Sequence, residues 1–153
     1  MELQPLSVWL LSIFSTTPHN STLAMILPEY LETVFIGTPP IDGWPSDFHI
    51  ITAWNPKRIV PEQQNNEADA RLRTQLEQEQ FPHFPITGCS ADLVHREASW
   101  GIIGVPAERA VQIGREYGQN AVIEIVGGET FIVSCETPER QSIGQFQTRV
   151  KGA

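Results

Sequence analysis

The sequence has few cysteines, few basic residues and no long apolar run. Its two cysteines, Cys89 and Cys135, cannot make a disulfide framework, and free thiols in a reducing cytoplasm are the simpler interpretation. Ten Lys and Arg against 18 Asp and Glu give a net charge of -8, which argues against general nucleic-acid binding, since that needs a basic surface. The apolar run 6–14 is too short to span a bilayer and lacks the basic start of a signal peptide, so we expect no membrane segment.

The two ends of the chain differ from its middle. The whole chain of 153 residues suits one domain. Residues 1–24 carry one charge, and we expect an N-terminal appendage that is either disordered or precedes a true start at Met25. Residues 136–153 hold few large apolar side chains, which predicts a flexible C-terminal tail. The single domain is expected at residues 25–135, which hold 15 acidic and 7 basic residues and so all of the net negative charge.

Two helices alternate with short β-branched segments. Pro61 suits the first position of a helix over residues 62–80, where Ala68, Leu72 and Leu76 form a narrow apolar face. A second helix over residues 107–117 begins after Pro106 and is closed by Gly118. Gly127 and Gly128 predict a hairpin turn between the last two strands, because glycine tolerates positive φ angles. Strands are expected at residues 33–36, 49–54, 86–89, 98–105, 121–126 and 130–135.

The order of these elements predicts an α+β fold with a mostly antiparallel sheet. From the strand at 49–54 onward the order is βαββαβ, the order of a ferredoxin-like split βαβ unit with two helices on one face and additional edge strands. The strand at 33–36 conflicts with this arrangement if it pairs with the strand at 49–54. A related α+β sheet with a different strand order is therefore the alternative.

Several short segments resemble one bacterial family, catalogued as domain of unknown function 3293. They are the residues 51–56 (ITAWNP), Asn65-x3-Asp69-x2-Leu72, the residues 97–100 (EASW) and the residues 118–122 (GQNAV). The resemblance covers roughly residues 30 to 135 and implies a small bacterial protein with those domain limits. It implies no reaction. The resemblance leads us to expect Asn at the position that Asp69 occupies. If that position binds something through an amide donor, a carboxylate there would change the partner.

Polar side chains gather near the ends of the predicted strands and helices. Because the end of the first strand, the start of the first helix and the start of the third strand meet in a βαββαβ sheet, we expect one ligand-binding cluster at that end. Gln119 and Asn120 are expected as a separate pair at the opposite end. The cluster would comprise Thr52, Asn55, Asn65, Asp69, Glu97 and Ser99.

Structural roles are the favoured explanation for most of the same residues. Asn65 could bond the backbone of the preceding loop, Ser99 could bond its own backbone, and Asp69 could pair with Arg73 at i+4. Asp69 and Glu97 together could instead do acid–base work or hold Mg²⁺. No spacing of Cys and His suits zinc, so no metal site is predicted, and the cofactor stays unknown.

Composition and motifs favour a small-molecule or partner-binding module without its own catalytic machinery. The alternative is a small enzyme, for instance a metal-assisted hydrolase or transferase, which would use the Asn/Asp/Glu cluster. A third hypothesis is a partner protein of a toxin, antitoxin or phage system. The partners expected are a small molecule or a protein, including a homodimer through a sheet edge, and no nucleic acid or membrane.

Overall fold

The computed structural model describes residues 31–56 and 59–152, so the prediction for residues 1–24 lies outside the described residues. This part of the chain contains eight strands and two α-helices, which confirms the α+β class. The elements are β1 (Val34–Ile36), β2 (Phe48–Thr52), α1 (Glu62–Gln78), β3 (His83–Cys89), β4 (Arg96–Ile102), α2 (Ala107–Glu116), β5 (Ala121–Val126), β6 (Glu129–Ser134), β7 (Arg140–Gln145) and β8 (Val150–Lys151).

The eight strands form one mixed sheet that curls into a half-barrel. Their order is β7-β6-β5-β2-β4-β3-β1-β8, and every neighbouring pair is antiparallel except β1 and β8, which are parallel. β2 lies in the middle of this order, and its residues enter both apolar clusters, Phe48 and Ile50 the one and Ile51 the other. This position explains its nearly continuous apolar sequence, because a strand covered on both faces has no polar face to show.

Two apolar clusters fill the two faces of the sheet. The concave face holds an aromatic cluster in which Phe48 packs against Phe84 and Phe146, with ring centroids 5.3 and 5.4 Å away. Both helices contribute to the second cluster, where Leu72 and Ile113 are fully buried. The predicted apolar face of α1, Ala68, Leu72 and Leu76, is confirmed as its buried face.

The local predictions for the hairpin and the helix ends are confirmed. In the β5–β6 hairpin, Val122 pairs with Val133 and Glu124 with Phe131, and both turn glycines have positive φ. Gly118 follows α2 with φ 72°, as expected of a glycine that closes a helix. β1 pairs with β3 and β8 rather than with β2, so the conflict expected at the edge of β2 does not arise.

The residues predicted as a flexible C-terminal tail form β7, a short 3₁₀-helix (Phe146–Thr148) and β8. β7 and β8 occupy opposite edges of the sheet, and the 3₁₀-helix connects them across its open side. Arg149 fixes this connection, since its guanidinium donates to the carbonyls of Ile143 at 2.6 Å and Thr33 at 2.8 Å. These residues are therefore part of the sheet, although they contain few large apolar side chains.

Candidate functional site

A polar cleft opens where β2 ends and α1 begins. Its cavity volume is about 620 Å³, within the usual range for small-molecule sites. Asn55 and Pro56 from the end of β2, the first turns of α1 and the end of α2 form its walls. The described lining residues are Ala53, Asn55, Pro56, Val60, Gln64, Asn65, Glu67, Ala68, Arg71, Gln75, Glu116, Tyr117 and Gly118.

One face of α1 supplies most of the polar wall. Gln64, Arg71 and Gln75 follow one another at spacings of seven and four residues, with Ala68 between them, and so point to the same side of the helix. The Oδ1 of Asn65 accepts a hydrogen bond from the backbone N–H of Asn55 at 2.9 Å. This bond ties the end of β2 to the first turn of α1 and sets the mouth of the cleft.

A hydrogen-bonded network joins the far ends of the two helices. Gln75 donates to Glu116 at 2.9 Å and accepts from the Tyr117 hydroxyl at 3.0 Å. Arg109 donates to Glu116 at 3.0 Å and pairs with both oxygens of Glu79. The guanidinium of Arg109 lowers the pKa of Glu79, whereas burial raises the pKa of Tyr117. The network links α1 to α2, and its hydrogen bonds occupy the Glu116 carboxylate.

Arg71 and Glu67 are the charged residues of the described wall that take no part in this hydrogen-bonded network. Arg71 has no hydrogen-bond or ion-pair partner among the described residues, and it is the one cation among the described lining residues. Glu67 accepts a single hydrogen bond, from Gln63 at 3.1 Å. Both side chains are exposed and can bind a molecule that enters the cleft.

Thr52 and Ser99, two of the predicted site residues, have structural contacts. They face each other across β2 and β4. Thr52 donates to the carbonyl of Ala98 at 2.9 Å and accepts from the backbone N–H of Trp54 at 3.1 Å. Ser99 donates to the carbonyl of Glu97 at 3.1 Å. Both hydroxyls satisfy backbone groups at the end of the sheet and do not line the cleft.

Asp69 and Glu97, the carboxylate pair considered for acid–base or metal chemistry, lie on opposite sides of the sheet. Side chains alternate between the two faces of β4, so Glu97 and Ser99 share the concave face. Ser99 is paired there with Ile86, a residue of the aromatic cluster. Trp100 packs on the helix side, and Asp69 lies beside its ring. The two carboxyl groups therefore cannot bind one ligand or metal ion between them.

Glu97 is buried, whereas Asp69 is half-buried with its Oδ1 shielded from water. Burial raises the pKa of Glu97 well above its ordinary value, and within the described part of the chain its Oε2 has no hydrogen-bond partner. Burial also raises the pKa of Asp69, opposed by the Trp100 indole and by Arg73. The Trp100 indole is close enough to lower the pKa of Asp69. Asp69 Oδ1 and Trp100 Nε1 nevertheless make no hydrogen bond of normal geometry.

The prediction that Gln119 and Asn120 lie at the opposite end of the sheet is wrong. β5 runs antiparallel to β2, with Ile50 opposite Ile123, so the start of β5 lies beside the end of β2. Gln119 accordingly donates to the carbonyl of Trp54 at 2.6 Å. It also lines a second cavity of about 420 Å³ with Arg115, Gly118, Cys135 and Glu136, so Gly118 separates two adjoining cavities.

Six of the eight predicted residues thus do not line the cleft, whereas Asn55 and Asn65 do. The other polar lining residues were not predicted, because the sequence pattern of α1 was interpreted only through its apolar face. The spacing of Gln64, Ala68, Arg71 and Gln75 was the available signal, since it marks a second stripe beside the apolar one. The network around Glu116 and Tyr117 had no such signal, because it joins residues of different helices.

The described residues include no group of three or more His, Cys, Asp or Glu side chains that could hold a metal ion. Both cysteines are buried and unbridged, and burial raises the pKa of Cys135 to about 11 and raises that of Cys89. High thiol pKa values disfavour the reactive thiolate. Among residues 31–56 and 59–152, no helix is long and apolar enough to cross a membrane.

Fold and site together define an α+β protein with a curled mixed sheet and a polar cleft between its two helices. Residues 51–122 match the family described as "Protein of unknown function (DUF3293)", which confirms the resemblance read from the short segments. The matched stretch runs from β2 to the start of β5, so it contains the described lining of the cleft. No curated protein and no solved structure matches the chain.

Proposed function

We propose that this protein is a small-molecule-binding module and that the cleft between β2, α1 and α2 is its binding site. The observation that carries the proposal is the combination of a cavity of about 620 Å³ with polar side chains that retain binding capacity. Arg71 makes no hydrogen bond or ion pair with another described residue, and Gln64 and Asn65 add amide groups to the same wall. A small number of polar groups beside apolar surface, here Ala53, Val60 and Ala68, is typical of small-molecule sites.

The matched family segment supports this choice of site. It spans the end of β2, the whole of α1 and the end of α2, which are the elements that form the cleft. By contrast β7 and β8, which close the half-barrel, lie outside it. The segment therefore coincides with the part of the chain that carries the cavity.

A steric block tests the proposal without assuming the ligand's charge. We expect wild-type protein, freshly purified, to retain a bound molecule in native mass spectrometry or to gain thermal stability with members of a metabolite panel. A compound present at a hundredfold excess over its Kd should stabilise the fold by about 2.7 kcal/mol. Gln64→Trp should abolish both effects, because an indole at this position fills the cleft.

Asn66→Trp is the matched control, since Asn66 is exposed on the same turn of α1 and is not among the described lining residues. It should bind like wild type. A clean apo mass together with no thermal shift across the panel contradicts the proposal. Equal loss of binding in both tryptophan variants would place the site elsewhere.

The enzyme alternative has less support. It relied on Asp69 and Glu97 acting together, and these carboxyl groups lie on opposite faces of the sheet. No nucleophile–base pair takes their place in the cleft, as far as the described residues go. A binding role needs no such pair.

We also propose a fold subtype, a cellular location and an oligomeric form for this protein. We infer that β5-β2-β4-β3 with α1 and α2 is a split βαβ unit, because these strands are antiparallel neighbours and both helices enter one core cluster. A bacterial, cytoplasmic protein fits the family resemblance and the two free thiols. A homodimer through a sheet edge stays a prediction, for which the outer edge of β7 is the available surface.

A further inference from the structure

Two oppositely charged side chains lie one helical turn apart in the wall of the cleft. Glu67 precedes Arg71 by four residues, the spacing and order that favour an ion pair on a helix. No such pair forms between them in the described structure. Arg73 and Glu77 on the same helix have the same spacing and are joined at 3.2 Å. The charges of Glu67 and Arg71 thus remain available to a bound molecule.

Among the described residues that line the cleft, the third charged side chain is already engaged. Glu116 accepts hydrogen bonds from both Arg109 and Gln75, and the Tyr117 hydroxyl donates to Gln75. Among the described lining residues this leaves one cation and one anion. A ligand with only a negative charge would meet Glu67, and a ligand with only a positive charge would meet Arg71. A molecule that carries both charges satisfies both groups.

The rest of the wall matches the uncharged parts of such a molecule. Gln64 and Asn65 place amide groups on the first turns of α1, where they can bond peptide-like donors and acceptors. Ala53, Val60 and Pro56 offer an apolar surface for a side chain. The cavity is also larger than a single small ion requires.

We infer that the cleft binds a zwitterion of the amino-acid or short-peptide class, with Arg71 receiving the carboxylate and Glu67 the ammonium group. This inference rests on the proposed function. It adds the chemical class of the ligand and the two residues that select it.

The test compares blocked and free forms of the same compounds. Free L-amino acids and dipeptides are titrated against wild-type protein by isothermal calorimetry, together with their N-acetylated and C-amidated forms. We expect each block to weaken binding about tenfold or more, because each removes one charged hydrogen bond. Arg71→Gln should then bind the C-amidated and the free forms equally. Glu67→Gln should make the N-acetylated and free forms equivalent.

The double variant Arg73→Gln with Glu77→Gln is the control, since it removes a charge pair of the same spacing from the same helix outside the described lining. It should keep the wild-type preference for free forms. Equal binding of blocked and free forms by wild type would overturn the inference. The inference would also be overturned if other panel compounds bind, Gln64→Trp abolishes that binding, and free amino acids and dipeptides do not bind. That result would leave the proposed function standing. If nothing binds, the proposed function itself is contradicted.

Discussion

At the scale of single residues, Glu97 is the strongest departure from ordinary solvation. Its side chain is on the concave face of β4, the residue is 4% exposed, and its Oε2 lacks a hydrogen-bond partner in the described part of the protein. An ionised carboxylate in such a place would lose its hydration without compensation. Burial therefore favours the protonated form and raises the pKa of Glu97 well above its ordinary value.

This residue makes stability depend on pH in a definite direction. A carboxyl group whose pKa is higher in the folded than in the unfolded state holds its proton more tightly when folded. The free energy of unfolding of wild type should therefore be greatest below the ordinary pKa of Glu97 and should fall as pH rises toward the raised value. Glu97→Gln keeps the shape without an ionisable group, so its free energy of unfolding should fall less over the same range.

Urea unfolding at a series of pH values from 4.5 upward measures this difference. Glu108→Gln, which changes an exposed carboxylate at the start of α2, is the matched control and should follow wild type. Parallel curves for wild type and Glu97→Gln would contradict the prediction. Such a result would show that Glu97 is ionised and compensated in the folded protein.

At the scale of elements, β4 depends on a glycine under an aromatic ring. Gly101 pairs with Phe84 on β3, and a Cβ at position 101 would come within 2.3 Å of the Phe84 ring. Phe84 in turn packs against Phe48 and Trp44, with ring centroids 5.3 and 5.9 Å away. The ring is therefore held in place and cannot move away without disturbing the concave core.

Gly101→Ala should destabilise the fold by about 1–3 kcal/mol, the usual cost of inserting a methyl group into a packed core. Gly88→Ala is the matched control, because Gly88 lies in the neighbouring strand and a Cβ there would meet only the Ser99 hydroxyl at 4.0 Å. Its midpoint in urea should stay close to that of wild type. Equal midpoints for both variants would show that Phe84 can relax.

At the scale of the whole molecule, the connection between β7 and β8 holds the half-barrel together. Phe146 is 2% exposed and packs against Phe35 from one end of the sheet order and against Phe48 from its middle. Its backbone N–H also donates to the carbonyl of Gly128 in the hairpin turn at 2.8 Å. One short 3₁₀-helix thus contacts three separate parts of the sheet.

Phe146→Ala should lower the free energy of unfolding by about 3–5 kcal/mol, as is usual when a buried Phe is truncated. Gln147→Ala, one residue further along and exposed, should leave it nearly unchanged. Chemical unfolding followed by tryptophan fluorescence measures both variants. A loss below about 1 kcal/mol for Phe146→Ala would show that the half-barrel does not need this closure.

Sequence predicted what is local in this fold. Strand composition, Pro61, Gly118 and the Gly127-Gly128 turn act within a few residues, and the structure confirms the elements that they mark. The C-terminal residues were misjudged because counting large apolar side chains ignores polar anchoring. Arg140 donates to Glu124 at 2.8 Å and stacks on the ring of Phe131, contacts that no local pattern indicates.

Residues of the candidate site were likewise predicted correctly where the signal is local and wrongly where it depends on the tertiary fold. Asn55 and Asn65 were identified because both lie at element ends, where the local sequence is informative. Asp69 and Glu97 were grouped wrongly, since deciding the face of a side chain needs the register between strands and the position of the helix. Gln119 was assigned to the wrong end of the sheet, because the start of β5 lies beside the end of β2 when the two strands are antiparallel.

The pairing of β1 with β8 also bears on the route by which the chain folds. Phe35 lies beside Val150, more than a hundred residues later, and β1 with β8 is the one parallel pair among the described strands. Such a contact closes a very long loop and has to form after the local hairpins, which slows folding. During synthesis the aromatic interior stays open until residues 146–151 have left the ribosome. We therefore expect Phe35 and Phe48 to lack their contacts with Phe146 until that point, which is when a chaperone would find apolar surface to bind.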